Sequence, residues 1–341
     1  MNKKRFYAID LAKFILSIMV VLVHCDCIRC YSAIGNLVIR EGICRASVPI
    51  FFAFSGCLMS LVGWNYTCLS KQLKKIFVLY IKWSLVYFLF KLIFSMVNNN
   101  YSNSFYLDEL WNTLFIAENY HLWYLLALIY AIILFIVVLK IKDKNIIRKS
   151  NNSNNYILYF FVIAFLWIIN CLHYTYNWVC QFNNTYLDLI IYKYEGIFNA
   201  LFYAVPMIMV GRMSAMSYQK HKTISWAVKL ILIIILYFTE IFLLFFFIPS
   251  VQNYTIYLTT PLLTYFLLCL LMNIRIQLNK KISKFFRDMS LYIYLIHPMI
   301  ILVWNSYIKR DGIIKFCTVL FLSFFLSLII YSVKLFVKRD K

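Results

Sequence analysis

Apolar runs of around twenty residues recur along the whole chain, separated by short polar stretches. That length is what a helix needs to cross the hydrocarbon core of a bilayer, about 20 residues at a rise of 1.5 Å each. The strands of a membrane barrel are about half as long and alternate in polarity, a pattern absent here. With 63% hydrophobic and 14% charged residues in 341, the chain lacks the polar surface of a soluble domain. Only 7 Gly and 5 Pro interrupt it, which favours long helices over a loop-rich β fold. The sequence therefore predicts an all-α polytopic membrane protein of about ten transmembrane helices. The expected spans are 8–28, 44–63, 76–97, 121–140, 156–173, 195–211, 226–249, 255–273, 289–308 and 313–336. The polar stretch Lys142–Asn155 is the best internal linker, yet no repeat or composition shift divides the chain. Residues 1–341 are read as a single membrane-embedded domain.

The net charge of +21 invites a nucleic-acid partner, and the distribution of charge argues against one. With the N-terminus placed in the cytoplasm, 24 Lys and Arg fall on inner segments and 6 on outer ones. This is the positive-inside pattern, and it puts both termini in the cytoplasm. Met1 to His24 resembles a signal peptide, but no small-x-small cleavage site follows, so it is read as a retained first helix. Among ten cysteines, Cys25, Cys27, Cys30, Cys44 and Cys180 fall on the outer side, where a bridge is open to them. Zinc is not expected, because the adjacent His24 and Cys25 cannot easily share one centre on a helix. The long outer loops 98–120 and 174–194, rich in Asn, Tyr and Trp, suit either sugar stacking or an interfacial aromatic belt.

Ionisable groups inside a membrane are costly and mark function. Lys13 and His24 are eleven residues apart, so they share one face of the first helix about 16 Å apart along its axis. Glu240 is the only acid deep in an apolar helix, at the same depth as His24, about 21 Å above the inner face. It is a candidate to orient or charge the imidazole. Further motifs open or occupy other helices. They are Arg45-Ala-Ser-Val-Pro-Ile-Phe-Phe-Ala-Phe-Ser-Gly, with Ser55-Gly56 permitting close backbone approach; His121-Leu-Trp123-Tyr-Leu; and Tyr294-Leu-Ile-His297-Pro.

In that order, together with Ala8-Ile-Asp-Leu-Ala-Lys13-Phe through Val20-Val-Leu-Val-His24 and the basic Lys71, Lys74 and Lys75, these motifs resemble the acyltransferase-3 family. Its members are bacterial ten-helix O-acyltransferases of cell-surface carbohydrates. The likeness covers nearly the whole chain. One departure stands out: the family pattern is an arginine, ten residues, then histidine, and Lys13 stands in the arginine position without the planar fork of guanidinium. The resemblance implies transfer of an acyl group, acetyl above all, from cytoplasmic acyl-coenzyme A to a carbohydrate hydroxyl. It gives His24 and Lys13 catalytic roles and Lys74 and Lys75 the coenzyme phosphates, with Arg45, Ser55, His121, Trp123 and His297 as substrate or structural positions. Acyl-coenzyme A is then a substrate and no tightly bound cofactor is expected. The bacterial cytoplasmic membrane is the expected site, with no extra soluble domain. The competing classes are a transporter or polymerase of lipid-linked sugars and a non-catalytic sensing module; lack of a repeat and of Gly/Pro-broken helices counts against the first.

Overall fold

A computed structural model describes residues 6–98, 122–144, 152–175, 195–218, 223–247 and 256–339. Among them the regular elements are all helical. The helices are α1 (Tyr7–Cys25), α2 (Ala33–Gly35), α3 (Ser47–Val62), α4 (Tyr66–Val97), α5 (Leu122–Lys144), α6 (Asn152–Tyr174) and α7 (Glu195–Phe198). They continue with α8 (Val205–Ser217), α9 (Thr223–Phe247), α10 (Thr260–Asn273), α11 (Lys280–Tyr307) and α12 (Ile313–Arg339). Two π-helical segments, Asn36–Cys44 and Asn199–Ala204, join α2 towards α3 and α7 to α8. Nine helical stretches of the described residues are long and apolar enough to cross a membrane, and α10 is a shorter apolar helix of 14 residues. The chain is a multi-pass membrane protein.

The hydropathy runs place the helices correctly but misplace several ends. Asn65 caps α4, its side chain accepting the amide of Cys68 at 2.9 Å. Asn279 caps α11 through the amide of Lys281 at 2.9 Å. Both helices thus begin about ten residues before their apolar runs, because capping rather than hydropathy fixes a helix start. They carry Lys71, Lys74, Lys75, Lys284 and Arg287 as ordered helical residues. A second difference is residues 33–43, expected between the first two spans on the outer side. They form helix and π-helix, beginning where Ser32 Oγ accepts the amide of Gly35.

Two interfaces position the interior. α3 packs most extensively against α8, and glycines allow it. A Cβ added at Gly56 meets the backbone of Ile208, and one at Gly211 meets the backbone of Ala53 and Cys57. The two backbones therefore touch, the close approach anticipated for Ser55-Gly56 and typical of small residues between membrane helices. The second interface is α1 against α11. Ser283 Oγ donates to Asp10 Oδ2 at 2.5 Å, Ser290 Oγ donates to the carbonyl of Lys13 at 2.8 Å, and the His297 ring lies beside that of His24. Rising numbers on one helix meet rising numbers on the other, so the two run parallel. Parallel running of the first and ninth spans requires an even number of crossings between their starts. Counting α10 as the eighth crossing meets that requirement.

Candidate active site

α1 turns one polar face inward. Lys13, Val20 and His24 stand at i, i+7 and i+11, close to whole turns of a helix. A cavity of about 260 Å³ is lined by Val20 and His24 together with Arg45, Val48, Trp123 and Tyr203. A second, of about 250 Å³, is lined by Lys13, Val48, Ser55, Tyr124, Arg287 and Tyr294. Val48 belongs to both walls, so the two spaces meet at that side chain. A third space of about 220 Å³ lies between His24 and the Pro298, Ile301, Asn305 and Ser306 side of α11. His24 thus stands between the first cavity and the third. Both π-helical segments reach the first cavity, through Cys44 and through Asn199 and Tyr203. Such widened turns are frequent at functional sites.

His297 is fully buried, with its ring centre 5.5 Å from that of His24. Its Nδ1 is 3.0 Å from the carbonyl of Ile293. A carbonyl only accepts, so Nδ1 carries the proton and Nε2 is the basic nitrogen. Pro298 has no N–H for the carbonyl of Tyr294, which loosens α11 just beside this ring. From there aromatic rings lead to the second cavity: His297 to Tyr294 at 6.2 Å, and Tyr294 to Tyr124 at 5.8 Å. Tyr124 Oη lies 3.3 Å from Ser55 Oγ. Trp123 meets Phe52 and Tyr203, with ring centres 6.1 and 5.7 Å away.

The charge at the first cavity comes from Arg45, a position singled out by the sequence motif, and from Arg40 and Glu41, which the sequence motifs do not include. Glu41, only 2% exposed, sits between two guanidinium groups. Arg45 Nε donates to its Oε2 at 2.7 Å, and Arg40 Nη1 pairs with its Oε1. Arg40 Nε also donates to the carbonyl of Val23 at 3.1 Å and faces Asp26 at 3.3 Å. The signal is present as a Glu41–Arg45 pair at i, i+4, but residues 29–43 fall between two expected spans.

Glu240 has other work. Its Oε1 accepts the amide of Leu258 at 2.7 Å, and its Oε2 accepts the amide and hydroxyl of Thr259 at 3.0 and 2.6 Å. The carboxylate therefore caps the start of α10. It holds the strap 256–259, from which Ile256 reaches the first cavity. Lys74 and Lys75 are exposed on α4 and outside both cavity linings. The basic side chain on the second cavity besides Lys13 is Arg287. Cys25, Cys27, Cys30 and Cys44 are free thiols. His121, Cys180 and most of the two long outer loops lie outside the described residues.

The chain shares 25% identity over 346 residues with an amino-acid racemase of Enterococcus faecalis, covering 97% of this chain and 47% of that protein. Another amino-acid racemase of the same organism is 28% identical over 210 residues, covering 59% of this chain and 27% of its own length. The chain thus spans less than half the length of either relative. No solved structure matches it. The sequence pattern of an acyltransferase domain, that of the acyltransferase-3 family, matches residues 6–332. The motifs on α1, α3 and α11 that build the two cavities lie within that match, and the chain belongs to the acyltransferase-3 family of membrane acyltransferases.

Proposed function

We propose that this acyltransferase moves an acyl group, acetyl in the first instance, from cytoplasmic acyl-coenzyme A to a hydroxyl of a cell-surface or lipid-linked carbohydrate. The observation that carries the reading is the arrangement of α1. It opens His24 and Lys13 onto two cavities that meet at Val48. One cavity suits a donor entering from the basic side of a bacterial cytoplasmic membrane, the other an acceptor entering from the opposite side. Both termini then lie in the cytoplasm.

The chemistry follows from the residues. A base is needed near neutral pH, and imidazole is the side chain suited to it. His24 takes the proton of the acceptor hydroxyl as its oxygen attacks the thioester carbonyl. The tetrahedral intermediate collapses, the carbon–sulfur bond breaks, and the imidazolium returns its proton to the departing thiolate. The products are the ester and free coenzyme A. His297, with its proton fixed on Nδ1, presents a second imidazole at 5.5 Å that steadies the ring of His24. Arg45, held by Glu41, supplies positive charge on the acceptor cavity, and Trp123 a flat apolar wall for a sugar ring. Glu240 acts at a distance, by fixing the strap that closes this cavity.

The test is mass spectrometry of surface glycan from cells expressing wild type or His24→Ala. An acyl mass increment present only with wild type is the expected result. Glycans identical in modification but different in amount or length refute acyl transfer and point to export or polymerisation.

A further inference from the structure

The second cavity has an excess of positive charge that its own residues do not balance. Lys13 and Arg287 line it from two different helices. The Lys13 ammonium has no ion pair among the described residues; it lies 5.8 Å from the centre of the Phe54 ring. Asp10, the nearest acid in sequence, is turned to Ser283, whose hydroxyl it accepts. On the Arg287 side, one carboxylate serves two cations. Asp288 is 3.6 Å from Arg287 and 3.0 Å from Lys334, and Lys334 also donates to Tyr292 Oη at 3.1 Å. Two cations, Lys13 and Arg287, therefore line the space with one carboxylate, Asp288, which Lys334 also engages from outside the lining. In surroundings of low polarity, like charges facing a common cavity are held there at a cost, and an anion that enters removes it.

The shape says which anion. At about 250 Å³ the cavity is smaller than the roughly 300–1,000 Å³ of pockets that enclose a drug-sized ligand. It admits a narrow arm and not a nucleotide. The Arg287 side chain is 41% exposed, at the rim, whereas Ser55, Tyr124 and Tyr294 line the interior. We propose that Arg287, together with Lys13, forms the subsite that grips the diphosphate of the acyl donor while its pantetheine arm enters the second cavity. Guanidinium suits this task, since its planar fork binds two phosphate oxygens at once. Lys74 and Lys75, exposed on α4, then have no direct part in holding the donor. The assignment rests on acyl-coenzyme A as donor.

The experiment measures binding of coenzyme A and of pantetheine, which has no phosphate, to the purified full chain in nanodiscs of zwitterionic lipid. Wild type is expected to prefer coenzyme A, with the preference shrinking as salt is raised. Arg287→Gln is expected to lose at least tenfold in affinity for coenzyme A and none for pantetheine, and Arg287→Lys to recover part of the loss. Lys74→Gln and Lys75→Gln are expected to bind coenzyme A as wild type does. Equal binding of coenzyme A by wild type and Arg287→Gln overturns the subsite and leaves the donor in place. If Arg287→Gln does not fold, the wild-type comparison decides: equal affinity for the two ligands overturns it as well. Failure of wild type to bind coenzyme A at all overturns both the subsite and the donor. Repeating the assay in phosphatidylglycerol nanodiscs separates a lipid headgroup: an Arg287 effect confined to those discs assigns the site to lipid and overturns the donor subsite.

Discussion

Gly211→Ala tests the interface on which both cavities depend. An added Cβ there stands 2.7 Å from the carbonyl carbon of Ala53 and from the amide nitrogen of Cys57, whereas ordinary contact begins at 3.4 Å. The carbonyl oxygen of Ala53 is closer still, so α3 and α8 must part at that point by more than the 0.7 Å that these two atoms alone require. Both obstacles are backbone, so no rotamer change relieves the clash. Overpacking of a tight interior costs about 1–3 kcal/mol, and the rigid obstacle puts this site at the upper end. The parting also moves Ser55 and Val48, which line the cavities. Gly196→Ala is the matched control, since its Cβ meets only side-chain carbons of Leu126 and Tyr130 at 3.4 Å. Thermal unfolding of the purified protein in detergent, followed by tryptophan fluorescence, is the assay. Gly211→Ala is expected to unfold well below wild type, and Gly196→Ala to stay within about 0.5 kcal/mol of it. Equal midpoints for the two variants refute a backbone-to-backbone crossing of α3 and α8.

Other perturbations follow from single contacts. Glu240→Gln replaces one accepting oxygen with a donor facing N–H groups, so thermal stability is expected to fall by about 1–3 kcal/mol. Transfer per folded molecule should stay near wild type; a loss of turnover at unchanged stability ties Glu240 to the chemistry instead. Glu41→Gln leaves Arg40 and Arg45 without their shared counter-charge in a buried site, a change costing about 3–5 kcal/mol. Poor yield of folded protein by size-exclusion chromatography is expected, and a normal elution profile with normal melting contradicts the buried triad. Lys13→Arg should keep activity and Lys13→Ala lose most of it in an acyl-transfer assay. Equal activity of these two variants removes the cation from the mechanism.

Much of the architecture was legible because hydropathy over twenty residues is a strong signal in a chain that lives in lipid. The same-face placement of Lys13 and His24 was legible too, since it depends only on helical periodicity. Helix ends were less so. The ninth span was expected from 289, two residues after Arg287, because charged residues dilute the hydropathy window while Asn279 actually starts the helix. That error hid Arg287 and Asp288 from the list of interior groups. Arg40 and Glu41, the partners of Arg45, were hidden for a related reason: residues 29–43 fall between two expected spans, whereas Asn36–Cys44 folds as π-helix. Glu240 shows the remaining gap. Its place on an apolar helix was readable from the sequence, but its partners are set by which helices pack together, and α9 packs on α10.

The parallel pairing of α1 with α11 also bears on how the protein is made. Asp10, Lys13 and His24 enter the bilayer with α1, but their partners Ser283, Ser290 and His297 arrive with α11, several spans later in synthesis. Until α11 is made, α1 therefore holds polar groups in the membrane without their final neighbours, at a cost that falls only when α11 docks. A chain arrested before α11 has neither the full wall of the second cavity nor the paired imidazoles.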